Sequence, residues 1–169
     1  MDSIEIFKTA IAFEEKIRDL YLSADKIVDD KRGKAIFKAL ADDEQSHVDF
    51  LLYSIKQLEE SGVIDHERLT SPIPSKTEIE ANIESMKAQI PERMLGDIKT
   101  VLNSALQLEK ETSAYYREAS KKTDGDIKII MEMFQEIEDR HVDVVQIELD
   151  HASNNGMWFD FMEGNLEVE

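Results

Sequence analysis

Apolar positions recur at helical spacing along most of the chain. Between residues 3 and 29 the stripe runs Phe7, Ala10, Ile11, Ile17, Tyr21, Ala24 and Val28, with Glu14 and Arg18 on the same line. This is the 3–4 spacing of one helix face. After the polar break from Asp29 to Gly33, a second stripe occupies residues 34 to 61 through Phe37, Leu40, Ala41, Val48, Leu51, Ile55 and Leu58. Gly62 predicts its end, because glycine takes the left-handed conformation after a helix without a steric penalty. Pro91 suits the first turn of a third helix, with the stripe Met94, Ile98, Val101, Leu102, Ala105, Leu108, Thr112, Tyr116 and Ala119. Thr123-Asp124-Gly125 reads as a turn. The fourth stripe is Ile127, Ile130, Phe134, Ile137, Val144, Val145 and Ala152, stopped by Asn154-Asn155-Gly156.

Residues 62 to 90 break this rhythm. Pro72 and Pro74 forbid a continuous helix. Ser75 followed by Glu78 is a capping-box pattern that opens a short amphipathic stretch through Ile79, Ile83, Met86 and Ile90. No segment of useful length alternates like a strand. Short connections make sequential helices antiparallel neighbours. The pattern therefore predicts an all-α four-helix bundle: two antiparallel pairs, residues 3–61 and 91–153, joined by a long crossover, 62–90, containing a short helix. Residues 1–153 form one bundle domain in this reading. The tail, 154–169, contains Met157-Trp158-Phe159-Asp160-Phe161 and is too apolar to stay in water. It is expected to pack along the bundle or against a second subunit, which favours a homodimer.

Six polar residues sit where these stripes should be apolar: Glu14, Glu44, His47, Glu109, Glu138 and His141. Glu44/His47 and Glu138/His141 are two Glu-x-x-His motifs, and each follows a lone Glu by about thirty residues. The separations of Glu14 from Glu109 and of Glu44 from Glu138 are nearly equal, so the chain reads as a repeated half. Residues i and i+3 project from one helix face. Each Glu-x-x-His helix then offers a bridging carboxylate and an imidazole, and each lone Glu one more carboxylate. Burying one ionised carboxylate costs several kcal/mol, and a domain of this size is stable by only roughly 5–15 kcal/mol. Four unpaired carboxylates would unfold the bundle or force protonation, whereas two divalent cations cancel their charge. Oxygen donors with imidazole suit iron or manganese, and zinc can occupy such a site. The register favours Glu14 over Glu15 and Glu109 over Glu111. Tyr21 and Tyr116 lie seven residues after Glu14 and Glu109. Each hydroxyl could reach a ligand carboxylate on the opposing helix, or bond to backbone or water. His66 is expected to be exposed, His151 to complement the dipole at a helix end, and Glu148 to be peripheral. The methionines read as core filler.

Composition narrows the chemistry further. A length of 169 residues suits one domain with a real core. There is no cysteine, so no disulfide, zinc ribbon or thiolate-bound iron can form within this sequence. The formal charge of −17 argues against nucleic acid and against an anionic membrane surface. The first residues lack the pattern of a signal peptide, and no segment approaches the roughly 20 apolar residues of a membrane span. A cytoplasmic protein is expected.

The segments AFEEKIRDLY, DDEQSH, QLEKETSAYY and EIEDRH resemble the ferritin-like superfamily. The resemblance is closest to rubrerythrin-like diiron proteins without a rubredoxin domain, and it spans about Ser3 to Ala152. It implies a ferritin-like bundle holding two iron ions. It also implies an oxidoreductase that reduces hydrogen peroxide or dioxygen. With no cysteine, the electrons must come from an external electron-transfer protein. Two departures bear on this. Rubrerythrins carry an extra Glu one turn from the third-helix ligand, where this chain has Leu106 and Thr112. Bacterioferritins carry a haem-ligand methionine where this chain has Gln45, so no haem is expected. An iron-handling ferroxidase and a metal-stabilised structural or interaction bundle stay open as alternatives.

Overall fold

The computed structural model describes residues 2–80, 87–159 and 161. Four long helices dominate: α1 (Ser3–Ile27), α2 (Lys31–Glu60), α4 (Leu95–Lys121) and α5 (Gly125–Asn155). The crossover between α2 and α4 contains a 3-10 turn (His66–Arg68), a one-turn helix α3 (Lys76–Glu80) and a short strand β1 (Lys87–Gln89). A second strand, β2 (Met157–Phe159), follows α5. The fold is all-α, as the stripes predict.

Local chemistry sets the helix ends. Asp2 caps α1 by accepting from Ile4 N at 3.2 Å, and Asp30 caps α2 by accepting from Gly33 N at 3.1 Å. The second helix thus starts within the stretch Asp29–Gly33 that reads as a polar break, because a good N-cap outweighs local polarity. Gly62, at φ 74°, closes α2 with its N–H on Gln57 O at 2.7 Å. Gly156, at φ 63°, closes α5 on Ala152 O. Pro91 does not enter the third helix directly: it precedes a 3-10 turn, Glu92–Met94, and α4 begins at Leu95.

Helix α1 packs on α2 and α4 on α5, with α1 joining the two pairs against α4. The apolar core is divided into two clusters. One holds Ile17, Tyr21, Ala24, Phe37, Leu40, Leu102, Ala105, Val144 and Val145. The other holds Ile6, Phe7, Ala10, Phe50, Leu51, Tyr116, Ala119, Phe134 and Ile137. On every long helix the gap between the clusters coincides with the polar positions singled out above, so a polar layer crosses the bundle at mid-height.

The crossover runs past both clusters, with Ile64 and Leu69 in one and Ile73, Ile79 and Ile90 in the other. Ser75 and Glu78 do form a cap, Glu78 N donating to Ser75 Oγ at 3.3 Å. The expected amphipathic helix through Ile90 is corrected, however. Helix α3 ends at Glu80, and Lys87–Gln89 is extended, paired antiparallel with Met157–Phe159; Ile83 and Met86 lie outside the described residues. Trp158 and Phe159 are fully buried. The Trp158 ring meets Phe37 edge-on at 5.8 Å, and its indole N–H donates to Asp30 at 2.8 Å. Glu148, buried on α5, accepts from Phe159 N at 2.7 Å and so anchors the strand. The reason is backbone satisfaction: a tail rich in aromatics must pair its buried amides somewhere, and the crossover offers an edge.

Candidate metal centre

The four long helices deliver the polar layer. Glu14 comes from α1, Glu44 and His47 from α2, Glu109 from α4, and Glu138 and His141 from α5, and all six are fully buried. Their neighbours with the same chemistry face elsewhere. Glu15 is partly exposed and pairs with Arg18 at 3.7 Å, and Glu111 accepts from Gln107 on the surface at 2.9 Å. The six fall into two groups whose donor atoms lie within 4.8 Å of one another: Glu14, Glu44, His47 and Glu138, and then Glu44, Glu109, Glu138 and His141. Glu44 and Glu138 belong to both.

Both imidazoles turn Nδ1 toward the carboxylates. His47 Nδ1 is 3.6 Å from Glu44, 3.7 Å from Glu14 and 3.8 Å from Glu138. His141 Nδ1 is 2.8 Å from Glu44 Oε1 and 3.4 Å from Glu109. The 2.8 Å approach lacks hydrogen-bonding alignment, so Glu44 Oε1 has no donor there. Tyr21 donates to Glu109 at 3.0 Å and Tyr116 to Glu14 at 2.7 Å, each reaching across to the other helix pair. Phe134 walls one side, stacked on Tyr116 at 4.7 Å and edge-on to His47 at 5.6 Å.

The electrostatics are those of too much negative charge in a dry place. Burial, then the Glu14 and Glu109 charges, push Glu44 well above the carboxylate range. Burial and the Glu14, Glu44 and Glu109 charges do the same to Glu138. Burial opposes ionisation of Glu14 too, but contacts with Glu44 and His47 hold it low; Glu109 is held low against burial by His141. Burial disfavours the imidazolium of His47, yet Glu14 and Glu44 raise it to about 10. His141 is raised by Glu109, Glu44 and Asp43 in spite of the same burial. Burial and the adjacent carboxylates keep the Tyr21 and Tyr116 hydroxyls protonated, and therefore donors.

These residues fit a pair of cations. Glu14 Oε2, both oxygens of Glu44 and of Glu138, Glu109 Oε2 and both His47 nitrogens are buried without a hydrogen-bond partner. Native interiors rarely leave so many polar atoms unpaired in one place. Carboxylate oxygens with imidazole and no thiolate match iron or manganese.

Two residues at the site escaped the reading of the sequence. Asp43 is buried beside the histidines, its Oδ2 2.7 Å from His141 Nε2 and its Oδ1 3.5 Å from His47 Nε2. Burial opposes its ionisation, but the two histidines and Ser71 hold its pKa low. Its position three after Leu40 and four before His47 was a usable signal. Ser71, from the crossover, donates to Asp43 at 2.6 Å, and nothing local marks it. The other histidines stand apart. His66 is half-buried in its 3-10 turn, and His151 bonds Ile147 O at 2.9 Å on α5. Gln45 is an exposed partner of Arg18 at 3.0 Å, and the positions flanking Glu109 are the buried Leu106 and Thr112.

An all-α bundle with one crossover and inward carboxylates and imidazoles defines a ferritin-like protein. The family model described as Rubrerythrin matches residues 5–96, more than half of the chain, and the protein belongs to that family. The match covers Glu14, Glu44 and His47 and stops before Glu109, Glu138 and His141, which the tertiary structure brings to the same layer. No curated protein and no solved structure matches the chain. Among the described residues, no helix is long and apolar enough to cross a membrane.

Proposed function

We propose that the protein is a diiron-carboxylate oxidoreductase that reduces hydrogen peroxide or dioxygen, with electrons returned by an external electron-transfer protein. The observation that carries this reading is the sharing of Glu44 and Glu138 between two adjacent donor groups. Glu14, Glu44, His47 and Glu138 would hold one iron, and Glu44, Glu109, Glu138 and His141 the other. Bound there, the pair supplies one electron from each iron and Lewis acidity toward an O–O bond. The protein supplies the rest. Tyr21 and Tyr116 hold Glu109 and Glu14 in place through their hydroxyl hydrogens. The two apolar clusters exclude water from both sides of the layer, which strengthens every electrostatic interaction within it. A cytoplasmic homodimer acting against oxidative stress is the matching cellular role.

The test is an anaerobic ferrous-loaded protein mixed with hydrogen peroxide. A ferric absorption band in the near ultraviolet should appear within seconds. A protein at full iron loading that develops no such band would sink the proposal. Leu106 and Thr112 favour a second reading, an iron-handling ferroxidase, because the extra carboxylate of rubrerythrins has no counterpart beside Glu109. The oxidoreductase turns over many peroxides per iron pair once a suitable electron donor is supplied, whereas the ferroxidase oxidises ferrous iron stoichiometrically and reduces peroxide slowly whatever donor is supplied.

A further inference from the structure

The Glu-x-x-His repeat suggests two equivalent metal positions, but the residues behind the histidines are not equivalent. Asp43 precedes Glu44 on α2 and is 3% exposed. The repeat-related residue before Glu138 is Ile137, which is equally buried and apolar. One carboxylate therefore serves both imidazoles, and it serves them unequally. Oδ2 lies 2.7 Å from His141 Nε2 and is itself held by the Ser71 hydroxyl at 2.6 Å. Oδ1 lies 3.5 Å from His47 Nε2, and that nitrogen has no hydrogen-bond partner. An imidazole whose far N–H is held by a carboxylate is fixed in tautomer and orientation, and its other nitrogen becomes a better ligand.

We propose that Asp43, braced by Ser71 of the crossover, is a positioning residue that makes the two metal positions unequal: the group containing His141 fills first and binds more tightly, and the group containing His47 fills second. The inference rests on the metal-pair reading above and does not depend on any redox activity. The crossover is thereby part of the site, since Ser71 reaches the polar layer between Leu69 and Ile73, where the chain passes from one core cluster to the other.

Zinc, being diamagnetic, is a suitable probe. The protein with 15N-labelled histidine is titrated with zinc and followed by calorimetry and by imidazole NMR. The first equivalent should shift His141 Nδ1 and leave its Nε2–H in slow exchange, while His47 responds only to the second. In Asp43→Asn the first step should weaken about 10–100-fold and the His141 N–H should exchange faster. Ser71→Ala, which removes one hydroxyl at a part-buried position, should weaken the same step about 2–10-fold; it carries the test if Asp43→Asn does not fold. Parallel responses of the two histidines in the native protein would overturn the proposal. So would a first step and an N–H exchange rate that neither substitution alters. A native protein that binds no zinc, iron or manganese would remove the metal-pair reading itself, and this inference with it.

Discussion

Glu14 and Glu15 are adjacent in the chain and have opposite fates. The first is buried under a tyrosine hydroxyl, and the second reaches the surface beside Arg18. A 100° turn of helix separates them, and that rotation decides which carboxylate can serve a metal. Glu44 and Glu14 differ in another way, since Glu44 belongs to both donor groups and Glu14 to one. Glu44→Gln is therefore expected to abolish tight binding of both metals, and Glu14→Gln to leave one, as elemental analysis after desalting would reveal. Equal stoichiometry in the two variants would contradict the shared-ligand geometry.

The same residues set a pH dependence. Without a cation, His47 titrates near 10 against an ordinary value of 6.5, and Glu44 and Glu138 are raised well above 4.5. A pKa raised by folding stabilises the protein below the unfolded value, and that stability is lost as pH rises through the folded one. Glu14 and Glu109 are depressed, so their contribution is present above 4.5 and lost toward acid. The melting temperature of chelator-treated protein should thus fall as pH rises from about 6.5 toward 10. Metal binding should tighten over the same interval, because cations displace those protons. Calorimetric melts at a series of pH values test this, and a melting temperature that climbed with pH would refute it.

At the scale of elements, the start of α2 is a closely packed joint. Asp30 caps the helix and also accepts from the Trp158 indole. Gly33 leaves room for that indole: a Cβ there would lie 2.7 Å from Trp158 Cζ2 and from Asp30 Oδ1, and would also meet Val28 Cγ1. Gly33→Ala is expected to destabilise the protein by about 1–3 kcal/mol through overpacking and to shift Trp158 fluorescence to the red. Denaturant unfolding followed by fluorescence checks both. A variant with native stability and emission would show that the tail is not seated on this helix. The crossover illustrates where periodicity misleads. Ile79 and Ile90 are both buried, as a helical stripe implies, yet Lys87–Gln89 between them is a strand. Its backbone partner lies seventy residues on, at Met157–Phe159, and no window of local sequence contains that information.

At the scale of the molecule, the polar layer splits one core into two, and a cation pair would be the element that joins them. Loading should raise stability by roughly 4 kcal/mol for each metal bound at free metal a thousandfold above its Kd. It should also slow amide exchange in all four long helices together. Slowing confined to one helix pair would mean that the layer does not couple the pairs.

What the sequence by itself determined is everything that follows from a 3.6-residue period: four long helices, an all-α bundle, and the inward register of Glu14, Glu44, His47, Glu109, Glu138 and His141. These are local properties, because a side chain's direction on a helix depends on its neighbours three and four positions away. Tertiary structure decided the pairing of β1 with β2, the seat of Trp158 against Phe37 and Asp30, and the path that carries Ser71 to Asp43 and Asp43 to His141. Those contacts join residues far apart in the chain. Each depends on how four helices and a crossover pack at once, and a one-dimensional pattern does not encode it.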